Sequence, residues 1–313
     1  MRLVVIGQAA FGQRVLEGLI DAHHDVALAL APPPAGSRED PMAAAARARG
    51  VPLLMPTSYR SADVAAAVHA AAADLGVLAF VTKIVPAGVF DAPRLGSICF
   101  HPSLLPRYRG GSALAWQLIQ GETRGGFTIF WTDEGIDTGP ILLQREIPID
   151  AGDTAGSLYF EKIFEPGIAA MVEAVGLAGG AAAPRQPQDE ARASYDPLCG
   201  DTPAAIVWRR PAGRVLNLVR GADPQPGAHA SWRSQRLRLF GVRREPATDT
   251  AVAPGTVLAH AGDRMVVAVG AESDRAVLSF GKARLADGAK ASAGEVAAAI
   301  GLATGAVLGD GAA

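Results

Sequence analysis

The chain has 313 residues, of which 49% are hydrophobic and 19% charged, and its formal net charge is −2 at pH 7. This composition is typical of a globular protein of about two domains, and the small net charge provides no general attraction to nucleic acid or to an anionic membrane. No apolar run reaches the roughly 20 residues that span a bilayer, and the N-terminus lacks the pattern of a secretory signal. The two cysteines, Cys99 and Cys199, do not form a disulfide framework, so we expect a cytoplasmic protein.

The first half of the chain alternates buried strands with Ala-rich helices, which predicts a Rossmann-like, doubly wound α/β sheet. The first predicted strand is Leu3–Ile6, and a glycine turn leads from it into a predicted helix at Gln13–Asp21. Because the turn lacks the middle glycine of a dinucleotide fingerprint, we do not expect NAD. The other strands predicted in this half are Val26–Ala31, Leu75–Val81, Gly96–Phe100, Gly126–Trp131 and Ile141–Ile147, and the other helices are Pro41–Arg49, Ser61–Asp74, Ser112–Gln120 and Ser157–Leu177.

The composition changes near residue 182, where proline becomes frequent and large apolar side chains become rare. A helix near Pro211–Val219 and several short β-rich runs follow, as in a small OB-like β-barrel. The predicted strands of this barrel are Ser234–Val242, Gly255–Ala259, Met265–Val269 and Val277–Phe280. We therefore predict a doubly wound domain at 1–181, a linker at 182–201, a helix-plus-barrel domain at 202–290, and a partly disordered Ala/Gly-rich tail at 291–313.

Two of the predicted strands lead to side chains that can carry out acid–base chemistry. Gly96–Phe100 is followed by His101, and Gly126–Trp131 runs into a loop that carries Asp137. Because the carboxyl ends of strands border the binding crevice of an open α/β sheet, we expect His101 and Asp137 to face one another there. Such a pair can support acyl chemistry without a metal or a nucleophilic side chain. From the residues alone, His101 as a histidine satisfied by backbone and Asp137 as a turn aspartate remain alternatives.

Two motifs, HPSLLPRYRG beginning at His101 and EGIDTG containing Asp137, resemble the formyltransferase superfamily that uses 10-formyltetrahydrofolate. The segments GGFTIFW, LLQREI, LYFEKIFEPGI and VRGADPQPGA are most similar to the branch formed by the amino-terminal hydrolase domain of 10-formyltetrahydrofolate dehydrogenase. The branch that formylates methionyl-tRNA resembles the chain more distantly and has the same two-domain plan.

The resemblance implies that 10-formyltetrahydrofolate binds as the substrate, with its pterin ring between two loops and its formyl group beside His101 and Asp137. We expect Asp137 to act as the general base on a water molecule and His101 to stabilise the oxyanion. Leu104 is expected to pack near the ring. The residues implied to contact the pterin, mostly through their backbone, are Lys83, Ile84 and Val85 on one side and Asp133, Glu134, Gly135 and Ile136 on the other.

Cys99 departs from the pattern of the formyl-transferring relatives, which usually carry Asn two residues before the histidine. An Asn amide can donate to the developing oxyanion, and the loss of one such donor typically costs about 3 kcal/mol. The hydrolase branch also lacks this Asn, so Cys99 favours that branch. We interpret Cys99 as a small buried hydrophobic residue and not as a nucleophile.

The expected function is therefore hydrolysis of 10-formyltetrahydrofolate to formate and tetrahydrofolate. Formyl transfer to an amine, such as methionyl-tRNA, a small amine or an amino sugar, is the first alternative, and a non-catalytic folate-binding module is the second. We do not expect tRNA as a partner, because the loop at 32–41 has one arginine and two acids and the second domain has only a mild basic excess. The histidines show no metal-ligand spacing, so no metal is expected.

Overall fold

A computed structural model describes residues 1–246, 251–271 and 274–311. Its contacts divide the chain into two compact units, and neither unit is contiguous in sequence. The first unit comprises residues 1–111, 125–147 and 160–196. The second unit comprises residues 112–124, 148–159 and the chain from 197 onward. The domains predicted from the sequence were continuous stretches of chain, whereas each compact unit contains segments that lie between segments of the other along the sequence.

The chain up to His101 follows the predicted alternation of strands and helices. Strand β1 is buried along most of its length, and Leu3 to Ile6 are at most 1% exposed; such continuous apolar runs are typical of parallel strands covered on both faces. The elements are β1 (Arg2–Gly7), α1 (Ala9–Asp21), β2 (Asp25–Leu30), α2 (Pro41–Ala48), β3 (Leu53–Leu54), α3 (Ala62–Ala70), β4 (Leu75–Ala79), α4 (Ala87–Phe90) and β5 (Ser97–His101).

The next segment completes the first unit and supplies parts of the second. Its elements are α5 (Ala113–Gln120), β6 (Arg124–Trp131), β7 (Ile141–Pro148), α6 (Ala155–Ser157), a π-helical stretch (Leu158–Ile163), α7 (Phe164–Ala178) and a 3₁₀ turn (Glu190–Arg192). The single helix predicted at Ser157–Leu177 is thus divided. Pro166 has no N–H to donate to the carbonyl four residues earlier, and this accounts for a change of helical register near the start of α7.

Seven strands form one mixed sheet in the order β3-β2-β1-β4-β5-β6-β7. Strands β1 to β5 pair in parallel, whereas β6 runs antiparallel to β5. The predicted Rossmann-like fold is confirmed, with a mixed sheet. The two-residue strand β3 was not predicted, because so short an apolar pair carries no periodicity.

In the second unit, α8 (Ala212–Gly221) packs on α5. Gly221 permits this approach, since a Cβ atom there would lie 2.5 Å from the carbonyl oxygen of Ala115. The strands of this unit are β8 (Ala228–Trp232), β9 (Gln235–Glu245), β10 (Val257–Ala261), β11 (Arg264–Val269), β12 (Ala276–Leu285) and β13 (Ala291–Ser292), followed by α9 (Ala293–Ala299). They form a separate antiparallel sheet in the order β10-β11-β12-β9-β8, with β13 beside β12.

The segment predicted as a partly disordered tail is packed in the residues that the structure describes. Ala293 and Ala297 of α9 are buried, and Leu302 and Leu308 are 3% and 2% exposed. The backbone of Gly309 pairs with Ser231 in β8. The expectation of disorder was wrong because small side chains can still cover a sheet edge when a few large apolar residues anchor them. Across the described ranges, no helix combines the length and apolarity needed to cross a membrane.

Candidate active site

His101 is the last residue of β5 and is 5% exposed. Its Nε2 atom lies 2.7 Å from the carbonyl oxygen of Tyr108. Because a carbonyl oxygen can only accept, Nε2 must carry the hydrogen. Nδ1 is therefore the ring nitrogen left to act on a carboxylate or a substrate.

The loop after His101 is shaped by hydrogen bonds to neighbouring backbone. The Ser103 hydroxyl donates to the carbonyl of Arg107 at 2.6 Å. The Thr128 hydroxyl donates to the carbonyl of Ser103 and accepts from the N–H of Leu105. Tyr108 has a φ of 60°, in the left-handed region that non-glycine residues rarely adopt. Together these contacts fix the carbonyl that receives the His101 hydrogen.

Asp137 reaches His101 by a route that the sequence did not predict. In the antiparallel pairing of β5 and β6, His101 lies opposite Thr128 and Ile98 lies opposite Trp131. The carboxyl end of β6 therefore lies beside the start of β5, whereas His101 is at the end of β5. The expectation that two strand ends would bring His101 and Asp137 together was wrong. The loop at 132–140 folds back and brings Asp137 Oδ2 to 3.4 Å from His101 Nδ1. The predicted encounter of the two side chains is nevertheless observed.

Two hydrogen bonds hold Asp137 in a strained backbone conformation. Its Oδ2 atom accepts the backbone N–H of Gly110 at 2.8 Å. Its carbonyl accepts from Nε2 of Gln188 at 2.9 Å. Its backbone has a φ of 56°, a conformation that costs a non-glycine residue about 1–2 kcal/mol. The side chain is 18% exposed, so water can reach the carboxylate.

The rest of the 132–140 loop is also held internally. The Asp133 carboxylate accepts from the N–H of Gly135 at 3.1 Å and from the hydroxyl of Thr138 at 2.6 Å, which is an Asx turn. Ile136 is 48% exposed, and Glu134 is also exposed. The loop thus presents an apolar side chain and its backbone to solvent.

The remaining residues implied by the resemblance are Lys83, Ile84, Val85 and Leu104. Val85 is buried in a hydrophobic cluster against which Cys99 packs, whereas Ile84 is 64% exposed. The Lys83 ammonium donates to the carbonyl of Thr57 at 2.9 Å. Leu104 lies against Gly126 of β6, where a Cβ atom would be 2.6 Å from Leu104 Cδ2. The described contacts therefore join His101 and Asp137, and the charge of Asp137 acts on Cys99. The contacts of Lys83 and Leu104 go to other residues.

Cys99 faces the same side of the sheet as His101, since the two residues are two positions apart on β5. Burial, and next the negative charge of Asp137, raise the pKa of the Cys99 thiol far above its usual range. Its Sγ atom lies 3.7 Å from the carbonyl oxygen of Phe100. A neutral thiol in this position is neither a nucleophile nor a strong donor, as expected from the sequence. The residue is partly buried and not fully buried as expected.

The segment at 186–195, which we call the strap, was predicted as part of a linker but is bound to both site loops. Gln186 pairs with Ile141 through its backbone, and the Ser194 hydroxyl accepts the N–H of Tyr108 at 2.8 Å. Its sequence, QPQDEARASY, lacks any apolar periodicity and therefore gave no sign of these contacts. The strap residues whose side chains form hydrogen bonds with the site loops are Gln188, Glu190 and Ser194.

Comparison with known proteins agrees with this architecture. Residues 1–175 match the family described as formyl transferase, and residues 201–300 match the C-terminal domain of formyl transferase. The mitochondrial 10-formyltetrahydrofolate dehydrogenase of Mus musculus is 42% identical over 246 residues, which are 77% of this chain and 27% of that protein. The chain thus spans little more than a quarter of the dehydrogenases that it matches.

Two further similarities extend over more of the chain. The methionyl-tRNA formyltransferase of Nitrosospira multiformis is 36% identical over 86% of this chain and 88% of its own length. The crystal structure of HypX from Aquifex aeolicus in complex with tetrahydrofolic acid shares the fold with a TM-score of 0.68 and 20% identity, over 95% of this chain and 47% of that one. Because the family match covers more than half of the residues, this chain belongs to the formyl transferase family of enzymes.

Proposed function

We propose that the protein hydrolyses 10-formyltetrahydrofolate to formate and tetrahydrofolate. The observation that carries the proposal is the contact between His101 Nδ1 and Asp137 Oδ2 at 3.4 Å, between two largely buried side chains. In this arrangement His101 Nδ1 and Asp137 Oδ2 face each other. A proton between them lets one atom donate to the other, whereas without it the lone pairs of the nitrogen and the oxygen would repel. The pair can therefore hold and pass one proton, which is what hydrolysis of a formamide-like bond requires.

The reaction begins when a water molecule attacks the formyl carbon. Asp137 accepts one proton of the water as the new carbon–oxygen bond forms. The hydrogen on His101 Nδ1 stabilises the oxyanion of the tetrahedral intermediate. Collapse of the intermediate breaks the bond between the formyl carbon and N10 of the folate, and N10 takes the proton from His101. The leaving products are formate and tetrahydrofolate, and proton exchange with solvent restores the pair.

The local structure supports the use of Nδ1 in these steps. Nε2 is committed to the carbonyl of Tyr108, so only the Nδ1 edge of the ring faces Asp137. Burial of the ring keeps this orientation, because rotation would remove the shorter of the two hydrogen bonds that the Tyr108 carbonyl accepts. The pterin ring is proposed to bind between the loop of Lys83 to Val85 and the loop of Asp133 to Ile136, with Leu104 nearby.

Water is favoured as the acceptor by Cys99. An amide at this position could hold an oxyanion or an incoming amine, whereas a neutral thiol beside Asp137 offers only a weak donor. The dehydrogenase of Mus musculus, at 42% identity, further supports 10-formyltetrahydrofolate as the substrate. Oxidation of the formyl group is not proposed for this chain, which matches 27% of that protein.

Formyl transfer to an amine is the alternative that a specific observation favours. The methionyl-tRNA formyltransferase of Nitrosospira multiformis is matched over 88% of its length, and both of the family's domains are present here. In this alternative the amine replaces water as the nucleophile, and Asp137 accepts a proton from the amine.

A single incubation separates the two functions and the non-catalytic alternative. Purified protein is mixed with 10-formyltetrahydrofolate in three reactions, with no acceptor, with methionyl initiator tRNA, or with an amino sugar, and formate and formylated product are quantified. We expect formate release without an acceptor and no increase in formylated product. Formylated product that forms faster than formate would contradict hydrolysis, and folate binding without turnover would support a binding module.

A further inference from the structure

We propose that Gln188 is a positioning residue that holds Asp137 in register with His101. The inference rests on the proposed role of Asp137 as the base and extends it to a strap residue outside both motifs. Gln188 does not contact His101, and its effect passes through the backbone of the 132–140 loop. The same side chain also binds the loop that carries His101.

The orientation of the Gln188 amide follows from its partners. Its nitrogen donates to the carbonyls of Asp137 at 2.9 Å and Gly139 at 2.7 Å. Its oxygen accepts from Arg109, from Nε at 3.2 Å and from Nη2 at 2.8 Å. Carbonyls only accept and a guanidinium only donates, so the reverse orientation of the amide would break all four contacts. The amide is thus fully satisfied in one orientation only.

Asp137 needs such support because its backbone is in the left-handed region, with a φ of 56°. Without a partner for its carbonyl, the loop would relax toward a less strained conformation and carry the carboxylate with it. A displacement of about 1 Å at a reacting group can lower a rate about 100-fold. The hydrogen bond from Gln188 to the Asp137 carbonyl opposes that displacement.

Arg109 extends the support to the loop of His101. The Arg109 side chain is buried and forms an ion pair with Glu190, with Nη2 2.6 Å from Oε1. The hydrogen bonds that Arg109 donates to Glu190 are the first cause that raises the pKa of Arg109, and the same bonds lower the pKa of Glu190. The next residue, Gly110, donates its N–H to Asp137 Oδ2. Gln188 therefore fixes Asp137 at its carbonyl directly and at its carboxylate through the Arg109–Gly110 backbone.

Gln186 provides a matched control two residues away in the same strap. Its side chain is exposed, and its bonds to Ile141 use only backbone atoms, at 2.7 and 3.0 Å. Removal of the Gln186 side chain leaves the strap attached to β7. Any effect common to Gln186→Ala and Gln188→Ala would therefore come from general disturbance of the strap.

The test compares Gln188→Ala, the isosteric Gln188→Glu and Gln186→Ala with the wild type. Both Gln188 variants should lower kcat for formate release at least tenfold and change KM less than threefold, whereas Gln186→Ala should stay within twofold in both. Thermal unfolding is recorded for each variant. Wild-type kcat in either folded Gln188 variant would overturn the proposal. So would failure of both to fold while Gln186→Ala folds, since this would assign Gln188 to general stability.

A second readout separates this proposal from the proposed function. The ¹⁵N chemical shifts of the His101 ring report whether each ring nitrogen carries a proton, and they do not require turnover. We expect the Nδ1 signal to move in both Gln188 variants and to stay in place in Gln186→Ala. If the wild type releases no formate but the signal moves, the positioning role stands and the hydrolase assignment fails. If formate is released and the Gln188 variants leave both kcat and the signal unchanged, the positioning role is wrong.

Discussion

The Nε2–H of His101 donates to the carbonyl oxygen of Tyr108 at 2.7 Å, and this bond determines which edge of the imidazole faces Asp137. Tyr108 adopts a φ of 60°, and its N–H is bound by the Ser194 hydroxyl of the strap. The catalytic ring proposed here is therefore oriented by backbone and not by a second carboxylate. The hydrogen bonds that shape this loop therefore set the ring orientation that the proposed proton transfer uses.

Replacement of the imidazole tests whether the ring takes part in the reaction. His101→Ala should lower kcat for formate release by at least 100-fold, because general acid–base groups contribute about 10²–10⁴-fold. Binding of tetrahydrofolate, followed by calorimetry, should change less than threefold because the loops proposed to hold the pterin are untouched. Turnover at the wild-type rate would remove His101 from the mechanism.

Gly110→Ala tests the backbone donor to Asp137. Gly110 has a φ of +97°, and a Cβ atom there would lie 3.1 Å from Cε2 of Tyr195. We expect the free energy of unfolding in urea to fall by about 1–2 kcal/mol and kcat to fall as the N–H moves away from the carboxylate. Gly36→Ala is the control, since Gly36 also has a positive φ but has open space around its Cβ position. Similar kcat values for the two variants would contradict a role for the Gly110 N–H.

The two cysteines should differ in their reactivity. Burial and the charge of Asp137 raise the pKa of Cys99 far above its usual range, and burial raises the pKa of Cys199 to about 11. Because the thiolate is the reactive form, iodoacetamide at pH 8 should modify both residues at least tenfold more slowly in the folded protein than in urea. Cys99 should react more slowly than Cys199, as measured by mass spectrometry. Rapid labelling of Cys99 in the folded protein would contradict a thiol that its surroundings keep neutral.

The second unit should lose stability in mild acid because of His229. The ring is 1% exposed, and burial is the first cause that lowers its pKa. Its folded state favours the neutral ring, while the unfolded chain takes up a proton near the ordinary pKa of about 6.5. The stabilisation is therefore complete above that value and is lost as the pH falls toward the lowered pKa.

His229→Gln provides the comparison, because an amide can also donate to the Asp201 carbonyl that lies 3.0 Å from Nε2. Urea unfolding between pH 7.5 and 5 should show a steeper loss of stability in the wild type than in this variant. Parallel curves would show that His229 does not contribute to the pH dependence.

The sequence was sufficient to predict most of the first sheet and the pairing of His101 with Asp137. The buried strands carry continuous apolar runs, and the two motifs identify the side chains directly. The reason given for their meeting was wrong, because a strand's direction is not encoded in its own apolar pattern. Strand β6 is antiparallel to β5, so it ends away from His101, and the 132–140 loop folds back to bring Asp137 to His101.

The strap could not be found from the sequence by the same means. Its contacts use single polar side chains and backbone groups, and Pro187, with Pro184 and Pro197 on either side of the strap, suggested a linker. The sequence also did not predict that segments of the two units alternate along the chain, because this too depends on contacts between distant segments. Helix α5 was placed with its sequence neighbours, whereas the close approach at Gly221 joins it to α8. Such pairings depend on contacts between distant segments, which local periodicity does not report.

The most direct test of the central claim is the rate of formate release from 10-formyltetrahydrofolate, without any amine, by the wild type and by Asp137→Asn. The asparagine keeps the size of the side chain but cannot accept a proton from water. If His101 and Asp137 form the proton-transfer pair, the variant should be at least 100-fold slower and should still bind tetrahydrofolate. Equal rates for the two proteins would contradict the account.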